Sequence, residues 1–493
     1  MTTTTEIEPP KLYSAHEPVF PRRVEGKFRN LKWVVMALTL GIYYVTPWIR
    51  WDRGPGMPDQ AVLVDLASRR FFFFTIEIWP HEFYFVAGLL IMAGLGLFLF
   101  TAALGRVWCG YMCPQTVWTD LFLLTERWIE GDRNARLRLW NAPWDARKIR
   151  LRVEKWTIWL IIGVLTGGAW VFYFTDAPTL LRDLLLGQAH PIAYTTIAIM
   201  TATTFLFGGF MREQICIYAC PWPRIQAAMM DEDTLTVAYR EWRGEPRGKI
   251  ARGEATKSDD PPGEKGDCID CLACVNVCPM GIDIREGQQL ECITCALCID
   301  ACDDVMARIG KPRGLIDYMA LRDEAAERLE SRPARELWRH VMRPRVLLYF
   351  GLWSAIGVAL LVALLLRSPY DLNVTPIRNP LYVTLADGSI RNTYELRLRN
   401  KQGVEQPFAI GVEDPSGAPL PGVTLTLEGQ ATNIVNAPAD ETLSQRIYLT
   451  AEPGSPLATG GQTGIELMIE DQASGRQARV DSVFHGAGGG QDG

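Results

Sequence analysis

Cys268-Ile269-Asp270-Cys271-Leu272-Ala273-Cys274-Val275-Asn276-Val277-Cys278-Pro279 and, a short stretch later, Cys292-Ile293-Thr294-Cys295-Ala296-Leu297-Cys298-Ile299-Asp300-Ala301-Cys302 decide how this chain is read. Each run has the spacing C-x2-C-x2-C-x3-C, and together they hold eight of the twelve cysteines. Three thiolates so spaced wrap one face of an iron–sulfur cube, while the fourth of each run reaches the other cube. The expected ligand sets are therefore Cys268, Cys271, Cys274 and Cys302 for one [4Fe–4S] cluster, and Cys292, Cys295, Cys298 and Cys278 for a second. Zinc sites pair two C-x2-C knuckles across a longer spacer, and disulfides need an oxidising compartment. One departure stands out: Asp303 occupies the place where the second run could carry a proline.

Outward from this segment the composition is sorted rather than mixed. Hydrophobic residues make up 48% of the 493-residue chain. They concentrate in five long stretches at 33–49, 83–105, 156–175, 191–211 and 346–366, each near the roughly 20 residues a bilayer-spanning helix requires. A single such stretch could be a buried core helix; five in one chain read as a multi-pass membrane protein. The net charge of −6 says little, because charges are sorted to different loops, and no nucleic-acid partner is expected. Lysine and arginine crowd the approach to the first stretch (Arg22, Arg23, Lys27, Arg29, Lys32) and the loop 106–155, whereas the loop 176–190 holds only Arg182. The positive-inside rule then puts the N-terminus, the loop 106–155 and the segment 212–345 in the cytoplasm and the tail outside. Residues 1–32 are polar, with no sign of a cleavable signal peptide.

The four remaining cysteines form two copies of one arrangement. Gly105-Arg106-Val107-Trp108-Cys109-Gly110-Tyr111-Met112-Cys113-Pro114 comes after the second apolar stretch, and Arg212-Glu213-Gln214-Ile215-Cys216-Ile217-Tyr218-Ala219-Cys220-Pro221 after the fourth. A duplicated helical hairpin ending in C-x3-C-P is the natural reading. Helical spacing of i and i+4 would put both thiols of a pair on one face, with Pro114 or Pro221 opening a new helix. The helix N-terminus and Arg106 or Arg212 would favour the thiolates. Such thiols suit soft copper(I) or a third iron–sulfur centre, against the plain alternative of inert buried cysteines.

The domains run in chain order. Residues 1–30 are a proline-rich lead-in; 31–230 form a four-span membrane domain with both C-x3-C-P motifs; 231–266 read as a linker; 267–344 as a ferredoxin-like two-cluster module with a helical connector over 314–342, broken at Pro333; and 345–367 as a fifth span. Phe71-Phe72-Phe73-Phe74, Trp79 and Pro80 are too short to cross and fit the outer interface, with His81 packing beside them. From 370 to 486 the period becomes two, with runs near 380–386, 394–398, 407–412, 423–427, 445–450, 464–470 and 478–484, which predicts an immunoglobulin-like sandwich lacking the usual tryptophan and disulfide.

With these residues in view, the chain resembles the CcoG/FixG/RdxA family of bacterial cytochrome oxidase accessory proteins, membrane polyferredoxins, from about residue 25 to the end. The resemblance is carried by Gly105–Trp118, by Glu130-Gly131-Asp132-Arg133-Asn134-Ala135-Arg136, by Gly244-Glu245-Pro246-Arg247-Gly248 and by Gly281-Ile282-Asp283-Ile284-Arg285. It implies a protein of the bacterial cytoplasmic membrane, with a periplasmic C-terminal domain, that reduces Cu(II) to Cu(I) for assembly of a cbb-type cytochrome c oxidase. The partners it implies are the oxidase assembly machinery or copper-delivery proteins, with the electron donor left open. Two other readings stand beside it. One is a non-catalytic assembly factor with structural or sensory clusters. The other is a quinol-linked membrane ferredoxin, since the membrane iron–sulfur proteins of periplasmic nitrate reductase systems share C-x3-C-P pairs.

Overall fold

A computed structural model describes residues 18–54, 57–249, 265–330, 337–439 and 441–488. It divides into two units, one built from the described parts of Met1–Arg50 and Gln60–Leu360, the other from Trp51–Asp59 and Leu361–Gly493.

Four helical stretches of the first unit and its edge are long and apolar enough to cross a membrane: Phe83–Leu104, Ala146–Tyr173, Pro191–Ala219 and Pro344–Leu365. They turn their leucines and phenylalanines outward. Leu90, Phe100, Leu348 and Val358 are all more than half exposed, an apolar surface that water would not tolerate and lipid would. The first expected stretch, 33–49, differs in length. Its helix is Lys27–Val45, after which Thr46–Trp48 tightens into a 3-10 turn where Pro47 lacks the N–H a continued helix needs. Leu31, Val34, Leu38, Ile42 and Val45 nevertheless form one exposed stripe along it.

Buried charges tie the N-terminal end of this helix to the cysteine-bearing segments. Asp120, on helix Pro114–Glu130, pairs with Lys32 at 2.9 Å and Arg29 at 3.2 Å. Asp300, between Cys298 and Cys302, accepts the backbone N–H groups of Phe28 (3.2 Å) and Arg29 (2.7 Å), capping the helix with a carboxylate that its dipole favours. The second cysteine run is thereby fastened to the membrane domain. A second buried knot centres on Glu126, which pairs with Arg136, Arg212 and, at 3.4 Å, Lys155.

Two sequence expectations need correction. The 231–266 segment is not a plain linker, because Thr236–Tyr239 is a fully buried strand paired antiparallel with Ile316–Met319. The run Leu235-Thr236-Val237-Ala238-Tyr239 carries the uncharged, β-favouring residues such a strand needs. Glu241–Gly244 then forms a short helix, while residues 250–264 of the expected linker lie outside the described residues, as do 1–17 and Pro333. For the same reason 314–342 is not all helix: the strand comes first, then helices Leu321–Glu330 and Leu337–Val341. The phenylalanine run, too short to cross as expected, forms a strand, Arg70–Phe73, in a three-stranded antiparallel sheet with Val62–Asp65 and Ile76–Ile78. Phe72 is buried while Phe73 and Phe74 are exposed. The side chain of His81 is outside the described residues.

The second unit is a two-sheet sandwich. One sheet runs Val423–Leu427, Thr442–Ala451, Ile390–Asn400, Tyr370–Pro376, with Val383–Thr384 also on Ile390–Asn400; the other runs Ile434–Ala437, Gln406–Glu413, Gln462–Asp471, Gln477–His485. Alternate residues point inward, so Tyr394, Leu396, Leu398, Phe408, Ile447, Leu449, Leu467 and Ile469 form the core. In place of a tryptophan, Tyr394 spans the core and its hydroxyl donates to Val483 O at 2.9 Å, tying one sheet to the other.

Candidate metal centres

The two C-x2-C-x2-C runs fold alike down to their backbone angles. Asp270 and Leu272 flank Cys271 with positive φ (52° and 57°), and Thr294 and Ala296 flank Cys295 in the same way (50° and 59°). A non-glycine residue pays about 1–2 kcal/mol to sit there, and persists only where its surroundings demand it. Alternating hands turn successive backbone N–H groups toward one concavity, the nest geometry found at iron–sulfur sites. Short helices then begin at Ala273 and Leu297, carrying the third cysteine of each run.

Two cavities result. Cys268, Cys271, Cys274 and Cys302 line one, together with Tyr239, Arg285, Met306, Leu315 and Ile316. Cys278, Cys292, Cys295 and Cys298 line the other, with Val237, Met280, Ile284 and Ile293, and Cys274 stands on its wall as well. The fourth cysteine of each run thus faces the cavity of the other run. All twelve cysteines are free. Among the described residues no three of His, Cys, Asp or Glu converge as on a single metal ion; the thiols ring a space instead. That donor set fits a cube of iron and sulfide, which is held by four thiolates at its corners. Burial pushes the thiols of Cys274, Cys278 and Cys302 up to about 12 and that of Cys292 to about 11, so loading iron must displace protons. Asp303 departs from proline because helix Leu297–Arg308 runs on past Cys302, and its carboxylate accepts Gly314 N–H at 2.8 Å.

The C-x3-C-P turns are also alike, though not in the way a continuous helix would make them. The N–H of Cys113 donates to Trp108 O at 3.0 Å, and that of Cys220 to Ile215 O at 2.7 Å, so each turn closes on the residue before its first cysteine with a wide i to i−5 bond. Such π-type turns are frequent at functional sites. Pro114 begins helix Pro114–Glu130 as expected of it, whereas Pro221 only precedes helix Trp222–Met229. The four thiols of Cys109, Cys113, Cys216 and Cys220 lie close enough to influence one another's charge. The hairpins therefore bring two pairs together as one set of four.

This set abuts the second cavity. Cys109 and Cys216 pack against the apolar cluster that contains Cys295, with Cys278 and Cys298 at its margin. Gly110 is where the two loops touch: a Cβ there would stand 2.7 Å from Ile293 O and 3.1 Å from Cys295 Cα. Tyr111 donates to Cys295 O at 3.2 Å, and Arg106 holds the same loop through Leu290 O and, at 3.2 Å, Cys292 O. The Cys109 thiol donates to Gln226 Oε1 at 3.1 Å. The expectation of low thiol pKa values fails here. Burial pushes Cys109 up to about 12 and raises Cys113, and the opposing pull of Arg106 on Cys109 is too weak to offset it. Arg212 is committed elsewhere, to Glu126 and to Gly209 O at 2.7 Å.

Comparison with known proteins agrees with this layout. The family described as a 4Fe-4S dicluster domain matches residues 211–321, a 4Fe-4S binding domain matches 85–132, and the IG-like fold at the C-terminal of FixG matches 360–487. The chain is 66% identical to protein RdxB of Cereibacter sphaeroides over 486 residues, covering 99% of this chain and 100% of that protein. It belongs to the FixG/RdxA family. RdxA of the same organism is 61% identical over 97% of this chain and 99% of its own length, and the nitrogen fixation protein FixG of Rhizobium meliloti 52% identical over 94% and 91%. This FixG/RdxA chain is an iron–sulfur electron-transfer protein with apolar membrane helices and a C-terminal immunoglobulin-like domain. The match over 85–132 contains Cys109 and Cys113 as its only cysteines, so the iron–sulfur description reaches the C-x3-C-P turns too.

Proposed function

We propose that this chain is a membrane-bound cupric reductase serving the assembly of a cbb-type cytochrome c oxidase. Cys268, Cys271, Cys274 and Cys302 hold one [4Fe–4S] cluster, and Cys278, Cys292, Cys295 and Cys298 hold the second. These centres supply one-electron transfer. The thiol set of Cys109, Cys113, Cys216 and Cys220 receives Cu(II) as substrate, and soft sulfur donors favour the Cu(I) product. The observation that carries this reading is the contact at Gly110, which sets the C-x3-C-P turn directly on the backbone of Cys295. The family match over 85–132 favours a second reading, in which the four-thiol set holds a third iron–sulfur centre and copper is reduced beside it rather than on these thiols.

The exposed apolar stripe of Lys27–Val45 supports a fifth span, and the dense cations at 22–32 and 106–155 support cytoplasmic clusters, a periplasmic sandwich and residence in the bacterial cytoplasmic membrane. The sandwich would then meet the oxidase assembly machinery or a copper-delivery protein. Anaerobic incubation of the reduced, purified protein with Cu(II) and a Cu(I)-specific chelator tests the proposal. Formation of Cu(I) is expected; intact clusters that produce none would leave the chain a non-catalytic assembly factor.

A further inference from the structure

A cavity of about 580 Å³ opens beside Tyr111, within the usual range of small-molecule pockets and separate from the three sets of thiols. Its mouth is apolar and exposed: Leu31 on the first helix, Phe100 near the end of Phe83–Leu104, Trp108 and Met112. These residues stand where the membrane helices reach the C-x3-C-P turn. The inner end is titratable and buried. His340 Nε2 lies 2.7 Å from Asp323 Oδ2, with side chains 2% and 4% exposed, and Tyr318 lines the same cavity. Tyr111 and Tyr318 form the wall toward the second cysteine cavity, donating to Cys295 O at 3.2 Å and Thr294 O at 2.7 Å. Arg240, the cation on the lining, is engaged by Glu327 at 2.9 Å and Asp317 at 3.6 Å.

We propose that this cavity binds a lipid-soluble hydroquinone and is where electrons enter the protein, an inference that rests on the iron–sulfur reading of the cysteine runs. The chemistry of the lining selects the class. An apolar mouth at membrane level suits an isoprenoid tail, and the titratable inner end suits a ring bearing two hydroxyls. A phosphate-bearing donor such as a nicotinamide dinucleotide would need an uncommitted cation, and Arg240 is already neutralised. Oxidation of one hydroquinone to quinone releases two electrons and two protons. His340, held by Asp323, accepts one proton and Asp317, whose side chain is 44% exposed, passes the other to water; the electrons go to two one-electron acceptors of the iron–sulfur class. His340 is the proton-accepting residue and Asp323 positions it.

The test uses the full-length protein in detergent without oxygen, with a short-tailed benzoquinone and its hydroquinone as probes. Saturable quenching of tryptophan fluorescence by the benzoquinone is expected, through Trp108. Leu31→Trp, which fills the mouth from an exposed position, should weaken binding by about tenfold. His340→Asn should bind within about threefold of wild type, yet its iron–sulfur absorbance should bleach about a hundredfold more slowly with the hydroquinone, the scale of a lost proton acceptor. Dithionite should bleach all three proteins equally. No saturable binding by wild type, or wild-type bleaching of His340→Asn by the hydroquinone, overturns the proposal while leaving the clusters standing. No bleaching by dithionite would overturn the iron–sulfur reading and this proposal with it.

Discussion

Replacing Gly110 by alanine adds one methyl group at the point where the C-x3-C-P turn meets the second cysteine cavity. The new carbon would meet backbone on that side: Ile293 O at 2.7 Å, Cys295 Cα at 3.1 Å and Cys295 N at 3.2 Å. Reaching ordinary contact near 3.4 Å requires the loops to part by about 0.7 Å, and neither can swing a side chain out of the way. Overpacking of this kind costs about 1–3 kcal/mol. Alanine returns at most ~1 kcal/mol through helix propensity in the turn Val107–Tyr111, so the net sign is destabilising. The assay is thermal melting of the detergent-solubilised protein, with the iron–sulfur signal followed alongside. Gly41→Ala serves as control, since its added carbon meets nothing within 4 Å and only the propensity gain remains. Gly110→Ala should melt below both the wild type and Gly41→Ala, by about 1 °C per kcal/mol for a chain this long, and lose iron–sulfur signal before it unfolds. A variant that melts at or above the wild type with its signal intact would refute the packing argument.

Cys278→Ser should diminish the second iron–sulfur signal while sparing the first, because the fourth cysteine of the first run lines the second cavity; loss of the first signal alone, by EPR, would contradict the crossed arrangement. Glu126→Gln should cost about 3 kcal/mol at neutral pH by leaving Arg136 and Arg212 without their carboxylate, while Lys155 keeps Glu130 at 3.0 Å. Burial alone would raise the pKa of Glu126, but Arg212, Arg136 and Lys155 outweigh it and hold the carboxyl at about 2 against an ordinary 4.5. Its contribution is therefore full above pH 4.5 and fades as the pH falls toward 2, so acid melting curves should flatten in the variant. Reporter fusions after Arg240 and after Asn400 should report opposite compartments, and the same compartment for both would remove one of the proposed spans.

What could be read from the sequence was what repeats or keeps a period. The cysteine spacing carries its ligand sets because it fixes which thiols share a short arc of chain. The two-residue alternation of Ile390–Asn400 carries its strand because each inward side chain meets the other sheet. Tyr370–Pro376 gives a weak signal because the alternation in Tyr370-Asp371-Leu372-Asn373-Val374 is short and begins just past the last apolar helix. Thr236–Tyr239 is hidden by the polar residues after it, although its own four residues are uncharged and all buried. Two features of the site had no local signal. The convergence of the two C-x3-C-P pairs depends on how separate hairpins pack. The high thiol pKa values depend on burial, which outweighs a nearby arginine that sequence proximity alone would credit. In the sequence Gly110 is only a spacer between cysteines; its need to be glycine comes from Ile293, 183 positions away in number but in contact in space.

The central claim is that electrons leave the clusters for copper through Cys109, Cys113, Cys216 and Cys220. Its most direct test is rapid mixing of the reduced, dithionite-free protein with Cu(II), following cluster absorbance and Cu(I) formation together in the wild type and in Cys109→Ser/Cys113→Ser. In the wild type the clusters should reoxidise as Cu(I) appears, one Cu(I) for each electron lost. In the double variant iron and sulfide should be retained in the two cubes, but the clusters should stay reduced and Cu(I) should form far more slowly. Reoxidation and Cu(I) formation at the wild-type rate in that variant would contradict the account.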